Sequence, residues 1–104
     1  MILIETPVFT AQVKELLPDE DYRRLQWHLA RYPYAGDVIR GTGGLRKIRW
    51  TAGGKGKSGG VRVIYFHVVS LSQIRLLLIY RKGLKDDLSP AEKKVLRAIN
   101  EDWS

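Results

Sequence analysis

Val61-Arg62-Val63-Ile64-Tyr65-Phe66-His67-Val68-Val69-Ser70-Leu71-Ser72-Gln73-Ile74-Arg75-Leu76-Leu77-Leu78-Ile79-Tyr80-Arg81-Lys82 is two apolar runs parted only at Ser70 to Ser72. β-Branched and aromatic side chains dominate the first run, and such residues fit a pleated, half-buried surface. The break is too short for the crossover that a parallel pair requires, so strands over 61–69 and 73–82 are predicted to pair antiparallel. Upstream, Leu45 to Trp50 alternates, with Leu45, Lys47 and Arg49 on one face and Arg46, Ile48 and Trp50 on the other. The link Ala52 to Gly60 is again too short for a crossover, so this third strand joins the same antiparallel sheet.

Outward from the sheet the pattern changes to helix. Met1-Ile2-Leu3-Ile4-Glu5 reads as a short strand, and Thr6-Pro7 as the cap and first turn of a helix carrying Phe9, Val13 and Leu16. After Leu17-Pro18, the acids Asp19, Glu20 and Asp21 suit the positive end of a second helix dipole. Tyr22, Leu25, Leu29 and Tyr32 make its apolar stripe and Pro33 ends it. Aromatic stripes at this spacing are usually core, and Tyr22, Trp27 and Tyr32 are read that way. Ser89-Pro90-Ala91-Glu92 spells a capping box, opening a last helix whose predicted buried face is Val95, Leu96, Ile99 and Trp103. The expected fold is α+β, in the order β-α-α-β-β-β-α. It is a single domain over 1–104, with a small antiparallel sheet, two N-terminal helices and one C-terminal helix.

Charge is distributed unevenly. Of 18 Lys and Arg, 11 lie in residues 38–85, and none of the 11 Asp and Glu does. Solvated surfaces normally intersperse both signs, so this segregation points to a polyanion as partner. With no cysteine, disulfides, thiolate zinc sites and thiol nucleophiles are excluded, which fits a reducing cytosol. The longest apolar run, Leu76 to Tyr80, is far below the ~20 residues that span a bilayer. Met1 to Glu5 lacks the basic start and small-residue cleavage site of a secretory signal. No membrane partner is expected.

Gly56-Lys57-Ser58 ends like a phosphate-binding P-loop, but Thr51 stands where the first glycine belongs, and Gly59-Gly60 leads into a strand. Residues 52–60 are better read as a hairpin loop whose Lys55 and Lys57 grip phosphates without reading bases; a plain turn is the alternative. His28 and His67 have no second ligand at metal spacing, and no metal or other cofactor is expected. His67 shares a strand phase with Val63 and Tyr65, where it is either a general base or an ordinary strand histidine. On the other phase lies Arg62, while Ile74, Leu76, Leu78, Tyr80 and Lys82 share a predicted face of the last strand. Arg62 opens one strand and Tyr80 and Lys82 close its antiparallel neighbour, so the three are expected to meet beside Lys47 and Arg49. Such a cationic patch could promote attack of an RNA 2′-hydroxyl on the adjacent phosphate. The window offers no carboxylate, which leaves lysines, Tyr80 or His67 as acid and base.

Gly36 to Arg49, Gly54 to Phe66, Tyr80-Arg81-Lys82 and Asp87-Leu88-Ser89 together resemble the HigB branch of the RelE/ParE toxin superfamily. The resemblance implies the same fold and a type II toxin, a metal-free endoribonuclease that cleaves mRNA in the A site of the 70S ribosome and stops translation. It also implies a cytoplasmic protein neutralised by a HigA-like antitoxin that carries a helix-turn-helix domain. By position, Arg62 matches the transition-state arginine, Lys47 and Arg49 the basic pair on the preceding strand, and Lys82 the basic site closing the sheet. RelE places a tyrosine near residues 86–89 where this chain has none, so Tyr80 or His67 takes that role. The RNA- and ribosome-binding set is Arg46, Lys47, Arg49, Lys55, Lys57 and Arg81. A ParE-like gyrase inhibitor and a non-catalytic RNA- or ribosome-binding module are the alternatives.

Overall fold

The computed structural model describes residues 1–51, 60–83 and 87–103. The chain is α+β, in the order β1 (Ile2–Glu5), α1 (Pro7–Leu16), α2 (Asp19–Arg31), β2 (Asp37–Val38), β3 (Arg46–Trp50), β4 (Val61–Val68), β5 (Gln73–Arg81) and α3 (Pro90–Glu101). These form one five-stranded sheet ordered β1-β5-β4-β3-β2. Strands β3, β4 and β5 pair antiparallel, as their short links require. β1 adds to β5 in parallel, however, so the sheet is mixed rather than wholly antiparallel. Its partner lies about 70 residues along the chain, and α1 and α2 intervene, so no short link constrains its direction. The two-residue β2 beside β3 was not expected either.

The sheet carries a core on each face. Phe9 and Val13 of α1 and Leu25 and Leu29 of α2 pack with Leu17 on Val61, Val63, Tyr65, Ile74, Leu76 and Ile79. On the reverse face Leu96 of α3, with Leu45 and Leu88, packs on Ile64, Leu77 and Tyr80. A single alternating β5 could not serve both cores this way. Ile64 pairs with Leu78 while Tyr65 pairs with Leu76, so Leu77 is an extra residue, a β-bulge. Ile74 and Leu76 therefore face α1 and α2, whereas Tyr80 faces α3, and the single predicted face of β5 is split. Thr6 holds the bulge in place: its hydroxyl donates to the Leu77 carbonyl at 2.8 Å and accepts from the Phe9 N–H at 3.1 Å. The residue that caps α1 thus also satisfies the bulge.

Helix ends follow the sequence signals. Ser89 and Glu92 make the reciprocal bonds of a capping box, at 3.1 and 2.8 Å, with Pro90 in the first turn. The helix faces follow less well. Of the four residues expected to bury α3, only Leu96 is buried; Val95 and Ile99 are exposed and Trp103 is half-buried. Arg75 makes up the attachment, donating to the Asn100 carbonyl and Oδ1 at 3.2 and 3.1 Å and lying over the rings of Phe66 and Trp103. Trp27 and Tyr32, expected in the core, stand largely in solvent, while Tyr22 is half-buried and donates its hydroxyl to Glu5. Among the described residues no helix is long and apolar enough to cross a membrane.

Candidate active site

Strand register assembles the site. Arg49 pairs with Arg62, and Arg62 with Tyr80, so three polar side chains lie in a row across β3, β4 and β5. Directly opposed residues hold their Cβ atoms roughly 5 Å apart on one face. Because Leu77 shifts the phase of β5, this row lies on the α3 side of the sheet, where Ile64 and Leu77 form its apolar floor. Arg62 is buried, 9% exposed, and no described carboxylate lies within ion-pair distance of its guanidinium. Among the described residues its Nη1 donates a long 3.4 Å bond to the Val61 carbonyl. Two arginines side by side with so little local compensation suit an anionic guest.

The start of α3 supplies the opposite charge. Leu88 is buried in the reverse-face core and Ser89 caps the helix, which carries Asp87 over the sheet. The Asp87 carboxylate accepts from Lys47 Nζ at 2.9 Å, and that bond holds its pKa below the ordinary carboxylate value. Tyr80 is pushed the other way: burial raises its pKa, the nearby Asp87 raises it further, Arg62 opposes, and Glu92 adds to the rise. The phenol is therefore protonated at neutral pH, while the carboxylate beside it is ionised.

The sequence-predicted residues divide. Lys47, Arg49, Arg62 and Tyr80 come together. Lys82 joins that end of the sheet, its N–H donating to the Gly60 carbonyl at 2.9 Å and its side chain exposed on the phase of Tyr80. His67 does not join them. It lies five residues from Arg62 along β4, roughly 16 Å, on the opposite face, edge-on to Tyr34 at 4.9 Å. Its Nδ1 is buried with no hydrogen-bond partner among the described residues. Arg46 also turns to that opposite face, donating to the carbonyls of Tyr34 and Gly36 at 3.3 and 2.7 Å. Arg81, opposite Val61 and exposed, shares neither face nor row with Arg62. Lys55 and Lys57 lie outside the described residues.

Sequence reasoning missed Asp87 and Glu92 as members of this site, because it sought acids only inside the basic window. The capping box marks where α3 begins, but nothing local sets that end of α3 over β3.

No family model matches the chain. The fold is similar to that of the crystal structure of the isolated E. coli RelE toxin, with a TM-score of 0.59 and 14% identity, over 94% of this chain and 97% of that one. At this identity the likeness is one of fold.

Proposed function

We propose that this protein is the toxin of a type II toxin–antitoxin pair, of the HigB branch, and that it cleaves mRNA in the ribosomal A site. The observation that carries this reading is the row Arg49, Arg62 and Tyr80 capped by the Lys47–Asp87 pair, on a RelE-like sheet. Cleavage by transesterification needs a base for the 2′-hydroxyl, cations for the pentacoordinate phosphate, and an acid for the leaving 5′-oxygen. Asp87, ionised and solvent-exposed, takes the 2′-hydroxyl proton. The 2′-oxygen attacks phosphorus, and Arg62 and Arg49 stabilise the charge that builds on the non-bridging oxygens. Tyr80, kept protonated by burial, gives its proton to the departing 5′-oxygen. The products are a 2′,3′-cyclic phosphate and a 5′-hydroxyl. Lys47 orients Asp87, and Lys82 contacts a flanking phosphate.

In the same reading the protein acts in the cytoplasm and is held silent by a HigA-like antitoxin with a helix-turn-helix domain. The test is a purified translation system. Wild type is expected to cut mRNA on programmed ribosomes and to leave the same RNA intact when free, and Arg62→Ala is expected to cut neither. Intact mRNA on programmed ribosomes, from a protein that arrests growth when expressed in a bacterium, would turn the reading towards a gyrase inhibitor.

A further inference from the structure

On the α2 side of the sheet, away from Arg62, three aromatic side chains stand in solvent: Trp27 at 70% exposed, Tyr32 at 51% and Tyr34 at 58%. Each of the two tyrosines carries a guanidinium over its ring. Arg31 lies 5.6 Å from the Tyr32 ring centre and donates from Nε to its hydroxyl at 3.1 Å. Arg46 lies 5.1 Å from the Tyr34 ring centre and is fixed there by its bonds to the Tyr34 and Gly36 carbonyls. Both rings line one cavity of about 410 Å³, together with His28, Arg31, Pro33 and Ala35, and no carboxylate lines it.

The patch is braced. His28 packs between the Tyr32 and Trp50 rings, at 5.3 and 5.2 Å, and Trp50 Nε1 donates to the Asp21 carbonyl at 3.2 Å. Tyr34 rests on His67. The 33–36 turn beneath is fixed by the buried Tyr65, whose hydroxyl donates to the Pro33 carbonyl at 2.9 Å and accepts from the Gly36 N–H at 2.8 Å. Gly36 is required for that approach, because a Cβ there would stand 2.8 Å from the Tyr65 ring. Along α2, Arg23, Trp27 and Arg31 are spaced four apart and all exposed, which extends the patch as a stripe.

We infer that this surface is a second RNA contact, in which Tyr32 and Tyr34 stack unpaired bases while Arg31 and Arg46 hold the flanking phosphates. Exposed rings fixed beside cations, around a cavity that no described carboxylate lines, are what single-stranded nucleic acid selects, because every base has a face to stack and every link a charge. Tyr, Trp and Arg are also enriched in protein interfaces, so a protein partner is the outcome the test separates. The inference extends the RNA reading above, but its site shares no residue with the Arg62 row.

The test measures binding of a labelled short oligouridylate, and of the same ribose-phosphate backbone without bases, in an Arg62→Ala background. Tyr32→Leu and Tyr34→Leu keep apolar bulk and remove the ring. Each is expected to weaken oligouridylate binding about tenfold and to leave the abasic probe unchanged. Equal binding by variant and parent would overturn the inference, and so would an equal loss for both probes. So too would unchanged RNA affinity with lost antitoxin neutralisation, which would assign the surface to a protein. If the tyrosine variants have no effect while wild type cuts mRNA, only this inference fails. If the tyrosines matter and wild type cuts nothing, only the nuclease reading fails.

Discussion

Arg62 is buried beside Arg49 with no described carboxylate in reach, so on the proposed reading function and stability pull apart at this residue. Arg62→Met keeps the apolar stem and removes the charge. Cleavage is expected to fall about 10²–10³-fold, as when one donor to a transition-state oxyanion is lost, while the thermal unfolding midpoint stays level or rises because a like-charge contact is relieved. A midpoint lowered together with activity would make Arg62 a packing residue. In the proposed mechanism Asp87 and Tyr80 set the pH behaviour. With the base held below the ordinary aspartate value of 3.8 and the acid raised above the ordinary tyrosine value of 10.0, single-turnover cleavage is expected to be flat from about pH 5.5 to 8.5. A tenfold rise per pH unit across that window would instead mark a lysine base. Arg62 and Tyr80 were legible in the sequence because strand alternation and a short link fix which ends meet. Asp87 was not, because it arrives through the packing of Leu88, and His67 was excluded by distance that only the register reveals.

At the scale of elements, the capping box does more than start a helix. Ser89→Ala removes the hydroxyl that accepts the Glu92 N–H, which is expected to cost about 1 kcal/mol and to lower the unfolding midpoint by roughly 4–8 °C. Because Asp87 sits two residues before the cap, cleavage is expected to drop as well, measured at a temperature where the variant is fully folded. Full activity in a destabilised variant would free Asp87 from the site. Helix starts and antiparallel pairing were readable because caps, prolines and link lengths act locally. The bulge at Leu77 was not, since Leu76, Leu77, Leu78 and Ile79 are alike in character and no residue among them announces itself as the extra one. The parallel placement of β1 depends on a partner about 70 residues along the chain. Trp27 and Tyr32 were misread because helical periodicity records apolar spacing, not whether another layer comes to cover it.

For the whole molecule, the acid-free window does not act as one surface. Arg75 anchors α3 and Arg46 lies over Tyr34 on the α2 side, while Lys47, Arg49, Arg62 and Lys82 gather at the α3 side. A chain that neutralises several phosphates is expected to lose RNA affinity steeply with salt, with a log–log slope near −0.7 per phosphate on single strands. A slope near zero would count against every nucleic-acid reading. Alkaline stability follows from three tyrosines. Tyr22, Tyr65 and Tyr80 are all raised, chiefly by burial, so the unfolded chain releases those protons first as pH passes 10. Stability is then fully present below pH 10 and lost above it, and Tyr22→Phe is expected to shallow the fall of the unfolding midpoint between pH 9.5 and 11.

The measurement that bears most directly on the central claim is to induce wild type and Arg62→Ala in a bacterium. The 5′ ends of one transcript are then mapped with and without its start codon. The account predicts growth arrest, with new mRNA ends confined to the translated transcript and absent from the Arg62→Ala strain. Arrest with intact mRNA, or cuts that persist without Arg62, would contradict it.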